Sequence, residues 1–362
     1  MLLHILSSDM HREALKVPFE LPESFVRTHQ VVAVLTGGTE SKFLQLVDEG
    51  LIDLSRPVYL MVSGHSNSLA AALEILSYIR QHNGTGKVMM NADDTELEGT
   101  GDRLPITGVP SGPVLRNEKK LRLGVVGKPS DWLISSGVNY AEVLQKMNCE
   151  LVDIPIDEVS SLGEVEPGMK GAEAIYKRLK ELVNRYDLQG ITLRCFDLLT
   201  TVKNTGCIAL SKLNDEGIPA ACEGDIPTLL TMMVCKKLTG ALCFQVNPAR
   251  INADGKMLFA HCTLPLGMTE KHEYTTHFES GIGVAIHGDL PAGDYTLVKL
   301  SGDMQRILAE DVTLTRCQFE QDLCRTQVWI QATPAVSRYF LTSPIANHHV
   351  LIKGHYAKLF KQ

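Results

Sequence analysis

The residues best suited to chemistry lie in one short segment, Ala221-Cys222-Glu223-Gly224-Asp225-Ile226-Pro227. Its two carboxylates are separated by a single glycine, between a short extended stretch and a strongly helical one. A loop glycine lets the backbone pass close to a ligand, and carboxylates on such a loop can bind a hard cation or accept a proton. Acids and glycine are also common at ordinary loop-to-helix junctions, so the segment alone equally allows a solvated acidic turn.

Two segments with histidines, Ala260-His261-Cys262 and Asn347-His348-His349, favour the catalytic interpretation. Glu223, His261 and His348 are far apart along the chain, which excludes a local metal motif but suits a site assembled from several parts of a fold. Carboxylate and imidazole ligands together favour a divalent ion such as Mn²⁺. Each histidine segment also has a structural alternative, a hydrogen-bonded core residue for His261 and a polar loop for His348-His349.

The hydrophobic pattern predicts that three successive parts of the chain position these residues. In the first, residues 1–118, the apolar runs Val31–Leu35 and Pro57–Val62 are typical of buried parallel strands, and a helical pattern follows each. This pattern predicts an N-terminal α/β domain. Glycines and prolines concentrated between Gly99 and Pro113 predict a linker at its end.

Two loops of this first part carry signals of their own. Gly37-Gly38-Thr39 could cradle a phosphate at a helix N-terminus, but it lacks the spacing of a nucleotide-binding fingerprint. Asn67 or Ser68 is the expected N-cap of the helix after the second apolar run.

The α/β alternation restarts in residues 119–240 and is lost after them. Apolar runs at Leu121–Gly127, Glu150–Ile154 and Gly190–Cys195 alternate with amphipathic helical stretches up to the Glu223 loop, which predicts a central α/β domain with a metal-site loop. In residues 241–362, short alternating runs such as Tyr295–Leu300 lie between Gly, Pro and Asp turns. The fold class predicted is therefore two Rossmann-like α/β domains followed by a C-terminal antiparallel β-barrel-like domain.

Composition limits the classes of protein to consider. The chain has 362 residues, 44% of them hydrophobic, and a formal charge of −7, so neither nucleic acid nor an anionic membrane surface is an expected partner. Nine cysteines at long spacings fit reduced thiols in a cytoplasm. The first residues lack the basic start and apolar length of a signal peptide, so we expect a cytoplasmic protein.

Over most of its length the sequence resembles the L-fucose isomerase and L-arabinose isomerase superfamily. Five segments in the same order along the chain carry the resemblance. They are Gly127-Lys128-Pro129-Ser130-Asp131-Trp132-Leu133, Cys222-Glu223-Gly224-Asp225-Ile226, Ala260-His261-Cys262-Thr263, Thr276-His277-Phe278-Glu279-Ser280-Gly281, and Asn347-His348-His349 through Gly354-His355.

The resemblance implies an Mn²⁺-dependent aldose–ketose isomerase with an enediol mechanism, which binds a monosaccharide and forms a homo-oligomer, a trimer or a hexamer. It assigns Glu223 as a metal ligand and proton carrier, and His261 and His348 as further metal ligands. It also assigns substrate contacts, which fall on Trp132, His277 and His349.

One position departs from the family. The second carboxylate of the acid pair, expected 24 residues after Glu223, is Asn247 here. An amide can bind a metal through its oxygen, but it cannot accept a proton near neutral pH. Either Asp225 or another acid completes the pair, or the chain is a catalytically reduced sugar-binding or regulatory homologue. A two-lobed solute-binding protein is a third possibility, which the absence of a signal peptide disfavours.

Overall fold

The computed structural model describes residues 3–8, 16–94, 104–109, 119–252 and 254–361. Its first sheet has four parallel strands in the order β1-β2-β3-β4. The elements of this part are β1 (Leu3–Leu6), α1 (Glu23–Thr28), β2 (Gln30–Val34), α2 (Glu40–Asp48), β3 (Val58–Val62), α3 (Ser68–Gln81) and β4 (Gly86–Met89). Every residue of β2 and β3 is buried, because both faces of the parallel sheet are covered, and the two apolar runs form strands as expected.

Asn67 precedes α3 as expected, but it does not cap the helix. Its backbone is left-handed, with φ at 57°, and its side chain makes no capping hydrogen bond. Instead its Nδ2 donates to Glu279 Oε1 over 2.6 Å. The amide thus connects the first sheet to a distant loop rather than satisfying the helix end.

A short strand lies inside the segment expected to be a linker. This strand, β5 (Ile106–Gly108), pairs with a barrel strand around Arg306–Leu308. The rest of the Gly99–Pro113 stretch outside residues 104–109 is not among the described residues.

The second sheet is also parallel, with the order β7-β6-β8-β9. Its elements are β6 (Leu121–Val126), α4 (Tyr140–Met147), β7 (Cys149–Ile154), α5 (Asp157–Ser160), α6 (Met169–Arg185), β8 (Gly190–Leu193), α7 (Asp197–Thr201), α8 (Cys207–Asp215), β9 (Ala220–Cys222) and α9 (Ile226–Thr239). The carboxyl ends of β6, β8 and β9 lie at one edge of the sheet, where α/β proteins bind their ligands. The Glu223 loop begins at that edge.

Six antiparallel strands close into a barrel in the order β14-β17-β10-β11-β16-β15, with β15 pairing back to β14. The remaining strands are β10 (Phe244–Ile251), β11 (Lys256–His261), β12 (Lys271–Thr275), β13 (Ala285–Asp289), β14 (Gly293–Leu300), β15 (Arg306–Gln318), β16 (Thr326–Gln331) and β17 (His349–Lys353), with α10 (Pro334–Thr342) before β17. Strands β12 and β13 form a separate hairpin.

This arrangement confirms the mixed α/β class and the antiparallel barrel. The domain boundaries near 118 and 240 and the Rossmann-like topology stay predictions.

The barrel shares hydrophobic cores with both parallel sheets. Val34 and Leu73 of the first sheet and its helix belong to the same apolar cluster as Phe244 of β10. Leu230 of α9 shares a second cluster with Val298 of β14. This packing positions loops from both sheets beside the barrel strands. Among the described residues no helix is long and apolar enough to cross a membrane.

Candidate active site

The loop after β9 projects Glu223 from the carboxyl edge of the second sheet. Glu223 and Gly224 both have left-handed backbones, with φ at 62° and 69°. A Cβ on Gly224 would lie 2.5 Å from the carbonyl oxygen of Lys128, so only glycine fits there. The Ser130 N–H also donates to the carbonyl of Glu223 over 3.0 Å. A left-handed non-glycine residue held this firmly is typical of functional sites.

Three potential metal ligands converge next to this loop. One ligand atom from each of Glu223, His261 and His348 lies within 4.8 Å of the other two. Glu223 Oε1 and His348 Nε2 are 3.5 Å apart. Separations of this size suit ligands that share one cation, because typical bonds to the metal are about 2.0–2.6 Å long.

Hydrogen bonds orient both imidazoles of this group. His348 Nδ1 lies 2.8 Å from Asp225 Oδ2, and its buried Nε2 has no hydrogen-bond partner among the described residues. His261 Nδ1 lies 2.8 Å from Thr263 Oγ1. A histidine that donates one N–H to a carboxylate while its other nitrogen stays free is the usual arrangement of a metal-binding histidine.

The electrostatics of the group favour a positive charge at this point. Burial lowers the pKa of His348, but the carboxylates of Glu223 and Asp225 outweigh burial and raise it to about 10. Burial would raise the pKa of Glu223, yet His348 and the indole N–H of Trp132 hold it below its usual value. Burial and the neighbouring His348 lower the pKa of His261 to about 4, which keeps a lone pair available for a cation.

A cleft opens beside Glu223, with walls from both parallel sheets, the barrel and the β12–β13 loop. Its lining residues are Gly37, Gly38, Glu40, Asn67, Ala70, Ala71, Trp132, Phe196, Glu223, Asn247, Glu279 and Asn347. Trp132 and Phe196 meet edge to face with ring centroids 4.8 Å apart, and Trp132 Nε1 donates to Glu223 Oε2. Aromatic walls with convergent amides and carboxylates suit a small polar ligand.

Two further expected residues belong to this region. Asn247 lines the cleft, and its Oδ1 accepts a hydrogen bond of 2.9 Å from Asn347 Nδ2. His277 lines a deeper pocket together with Glu223 and His261, and its Nδ1 lies 3.1 Å from Ser280 Oγ.

Asp225 and His349 do not line the cleft. Asp225 is fully buried behind His348, where its Oδ1 accepts from Thr228 N over 2.7 Å and caps α9. His349 Nε2 lies 3.0 Å from Tyr339 Oη, so its ring packs on the far side of the strand from His348. The geometry therefore supports Asp225 as a residue that orients His348, and it gives no support to a direct sugar contact by His349.

Two carboxylates that line the cleft, Glu40 and Glu279, were not predicted as site residues. Glu40 Oε2 is buried without a hydrogen-bond partner, and burial raises the pKa of this carboxyl well above its usual value. Glu40 directly follows the Gly37-Gly38-Thr39 loop, and a carboxylic acid there does not suit a phosphate. The sequence signal that could have indicated Glu40 as a site residue is its position just after a predicted parallel strand, where α/β proteins bind their ligands.

Another buried carboxylate, Glu74 of α3, supports the site from behind. It accepts hydrogen bonds from Ser135 N (3.0 Å), Ser135 Oγ (2.5 Å), Ser136 Oγ (2.9 Å) and Asn347 N (3.0 Å). Glu74 thereby joins the first sheet, the loop after Trp132 and the segment that carries His348.

Replacing Glu74 by Gln is expected to lower the free energy of unfolding by about 2 kcal/mol. Each carboxylate oxygen of Glu74 accepts two of these hydrogen bonds, and glutamine replaces one of the two oxygens by an amide nitrogen, which cannot accept them. A hydrogen bond to a charged group contributes about 1.5–3 kcal/mol. Urea denaturation measures the change. Glu142→Gln, which removes a partly exposed ion pair with Lys146, is the control and should change stability by less than about 1 kcal/mol. Equal stabilities of the two variants would contradict the supporting role of Glu74.

Comparisons with known proteins add a weak similarity. No family model matches the chain. A protein named sulfoquinovose isomerase from Clostridium sp. (strain MSTE9) is 30% identical over 90 residues, which are 24% of this chain and 20% of that protein. Another of that name, from Alkalicoccus urumqiensis, is 22% identical over 218 residues, 51% of this chain and 49% of that protein. The chain thus spans about half the length, or less, of curated relatives that are sugar isomerases by name.

Proposed function

We propose that this protein is a metal-dependent aldose–ketose isomerase of the L-fucose and L-arabinose isomerase type, acting on a monosaccharide. The observation that carries the proposal is the convergence of Glu223, His261 and His348 beside a cleft with aromatic and polar walls. The names of the two relatives support the same reaction class.

The donor set fits a divalent cation, with Mn²⁺ as the first candidate. One carboxylate oxygen and two imidazole nitrogens are a combination that divalent transition metals accept. The buried, unpartnered His348 Nε2 and the raised pKa of that imidazole both indicate a place where a cation is stabilising. A bound divalent ion would supply positive charge that polarises the sugar oxygens during proton transfer.

Side chains of the cleft would hold and orient the sugar. Asn347 Oδ1 is buried without a partner, so it can accept a hydrogen bond from a sugar hydroxyl. Trp132 and Phe196, which both line the cleft, would offer apolar surface to the sugar carbons. Glu223 stays ionised at neutral pH, since its pKa is lowered, and so keeps a negative charge next to the reacting oxygens.

A catalytically reduced sugar-binding or regulatory homologue is the second candidate. It is favoured by Asn247, whose amide stands where the family resemblance implies a carboxylate and whose Oδ1 already accepts a hydrogen bond from Asn347. Such a protein would bind a monosaccharide in the same cleft without interconverting it.

Sugar conversion with and without metal separates the two candidates. We would strip the protein of metal, add Mn²⁺, and incubate it with a panel of aldoses and ketoses that includes sulfoquinovose. An isomerase converts at least one sugar, and only after the metal is restored. A homologue that only binds shows heat of binding in calorimetry and no conversion. Conversion that is equally fast in stripped protein would contradict the metal-dependent reaction.

We further propose a homo-oligomer, a trimer or a hexamer, located in the cytoplasm. A reducing compartment suits the nine cysteines, none of which is in a disulfide.

A further inference from the structure

Glu279 lies in the same cleft as Glu223. It comes from the loop between β12 and β13, and it also lines the deeper pocket that contains His261. The loop is held in place by backbone hydrogen bonds from His277 N to Ile282 O and from Gly281 N to His277 O. A second carboxylate is therefore fixed at the position where the ligand cluster meets the cleft.

The surroundings of Glu279 leave its carboxyl free to exchange a proton. Its Oε1 accepts one hydrogen bond, from Asn67 Nδ2 over 2.6 Å. No lysine or arginine among the described residues forms an ion pair with it, and its side chain is only partly buried. The unusual left-handed backbone of Asn67 aims that amide at Glu279 rather than at the helix end.

Glu223 and Glu279 have environments that push their pKa values apart. Burial and the negative charge of Glu223 raise the pKa of Glu279 to about 7. The pKa of Glu223 is instead lowered by His348 and Trp132. Two carboxyl groups in one site with opposite shifts are typical of an acid–base pair, in which one stays ionised and the other carries the proton.

We propose that Glu279 is the proton-transferring residue of the isomerisation, in the role that Asn247 cannot fill. This inference rests on the proposed function. The Glu279 carboxylate removes the proton from C2 of the aldose. The electron pair of that C–H bond forms the C1–C2 double bond of an enediol, and the π pair of the C1=O bond moves to O1, which takes up a proton. Glu279 then returns its proton to C1, where the electron pair of the C1–C2 double bond forms the new C–H bond, while O2 loses its proton and the pair of that O–H bond forms the C2=O double bond. The hydroxyl proton lost by O2 balances the one gained by O1, so no oxidant or reductant is needed.

The other polar groups of the site suit this role less well. Asn247 has no proton-accepting group near neutral pH. Asp225 is fully buried behind His348 and does not line the cleft. Glu40 is 3% exposed, and burial raises the pKa of its carboxyl well above the usual range, which favours its protonated form over the carboxylate that a proton acceptor needs.

The test compares Glu279→Gln with wild type on the best sugar found in the panel. We expect kcat to fall by about 10²–10⁴-fold, the usual contribution of a general acid–base group. Affinity for Mn²⁺, measured by calorimetry, should stay within about threefold, because Glu279 is outside the ligand cluster. In wild type, kcat/KM should fall as the pH drops below about 7, since the protonated carboxyl of Glu279 cannot accept a proton. In Glu279→Gln, this decrease of kcat/KM at low pH should be absent.

Two control variants sharpen the comparison. Glu273→Gln changes an exposed carboxylate on β12 of the same hairpin and should leave kcat and the pH profile unchanged. In Glu40→Gln, kcat/KM should still fall below about pH 7. If this decrease disappeared in Glu40→Gln, Glu40 would be the proton carrier and the proposal would be overturned.

The outcomes also separate this inference from the proposed function. An active wild type with a Glu279→Gln variant that retains more than about one tenth of kcat overturns the role of Glu279 alone. A metal-loaded wild type that converts no sugar overturns both.

Discussion

Replacing Glu223 by Gln is expected to weaken Mn²⁺ binding by at least about 100-fold and to abolish detectable sugar conversion. The substitution removes the negative charge that lies 3.5 Å from His348 Nε2. Because the site is buried, a cation bound there would lose a charge partner that water cannot replace. Loss of a group that only supports a ligand typically costs 10–100-fold in metal affinity, so loss of a ligand should cost more. Isothermal titration calorimetry of metal-free protein measures this affinity.

A graded series makes the result specific. Asp225→Asn keeps an oxygen for the His348 N–H but removes the charge, and we expect a smaller loss of about 10–100-fold. Glu320→Gln is the control. Glu320 belongs to a second group of potential ligands, with His65 and Asp322, that is more exposed and is occupied by an ion pair to Arg250. Unchanged affinity in Glu223→Gln, or a loss in Glu320→Gln that matches it, would place the metal elsewhere.

The second large effect is expected from Gly224→Ala. Alanine at φ 69° is disfavoured by about 1–2 kcal/mol, and its Cβ would lie 2.5 Å from the carbonyl oxygen of Lys128. Either this loop or the Lys128–Pro129 backbone must move, and Glu223 moves with it. We therefore expect Gly224→Ala to lower the free energy of unfolding, the affinity for Mn²⁺ and the rate of sugar conversion.

Gly240→Ala is the matched control for this change. Gly240 ends α9 with φ at 68°, and nothing lies within 4 Å of the Cβ that alanine would add. Both variants therefore share the backbone strain, and only Gly224→Ala adds the collision. In urea denaturation Gly224→Ala should be at least about 1 kcal/mol less stable than Gly240→Ala, the lower range for overpacking. Equal stabilities with normal metal binding in Gly224→Ala would show that the loop accommodates a side chain.

Local pattern was enough to predict much of the fold. The apolar runs that form β2 and β3 are buried on both faces of the sheet. A continuous apolar run is typical of such strands, so the sequence alone was enough to predict them. Strand β5 was not predicted because its three residues, Ile106–Gly108, are too short a run to show alternation among the surrounding glycines and prolines. Residues Arg306–Leu308 of β15 supply the pairing that makes them a strand. Pairing of this kind is decided by tertiary context rather than by the local sequence.

The site was predictable only in part, for geometric reasons. His348 and His349 are neighbours in sequence, yet consecutive side chains of an extended chain point to opposite faces, so only His348 reaches Glu223. Glu279 reaches the cleft from a loop of the β12–β13 hairpin, and Asn67 reaches Glu279 because its backbone is left-handed. Neither the fold of that hairpin loop nor the backbone of Asn67 can be deduced from hydrophobic periodicity.

The measurement that tests the central claim most directly is anomalous X-ray scattering from crystals grown with Mn²⁺, recorded near the manganese absorption edge. We predict that the strongest peak lies about 2.0–2.6 Å from a Glu223 carboxylate oxygen and from one nitrogen each of His261 and His348. The absence of a peak at these three residues in protein that converts sugar, or a stronger peak beside His65, Glu320 and Asp322, would contradict it.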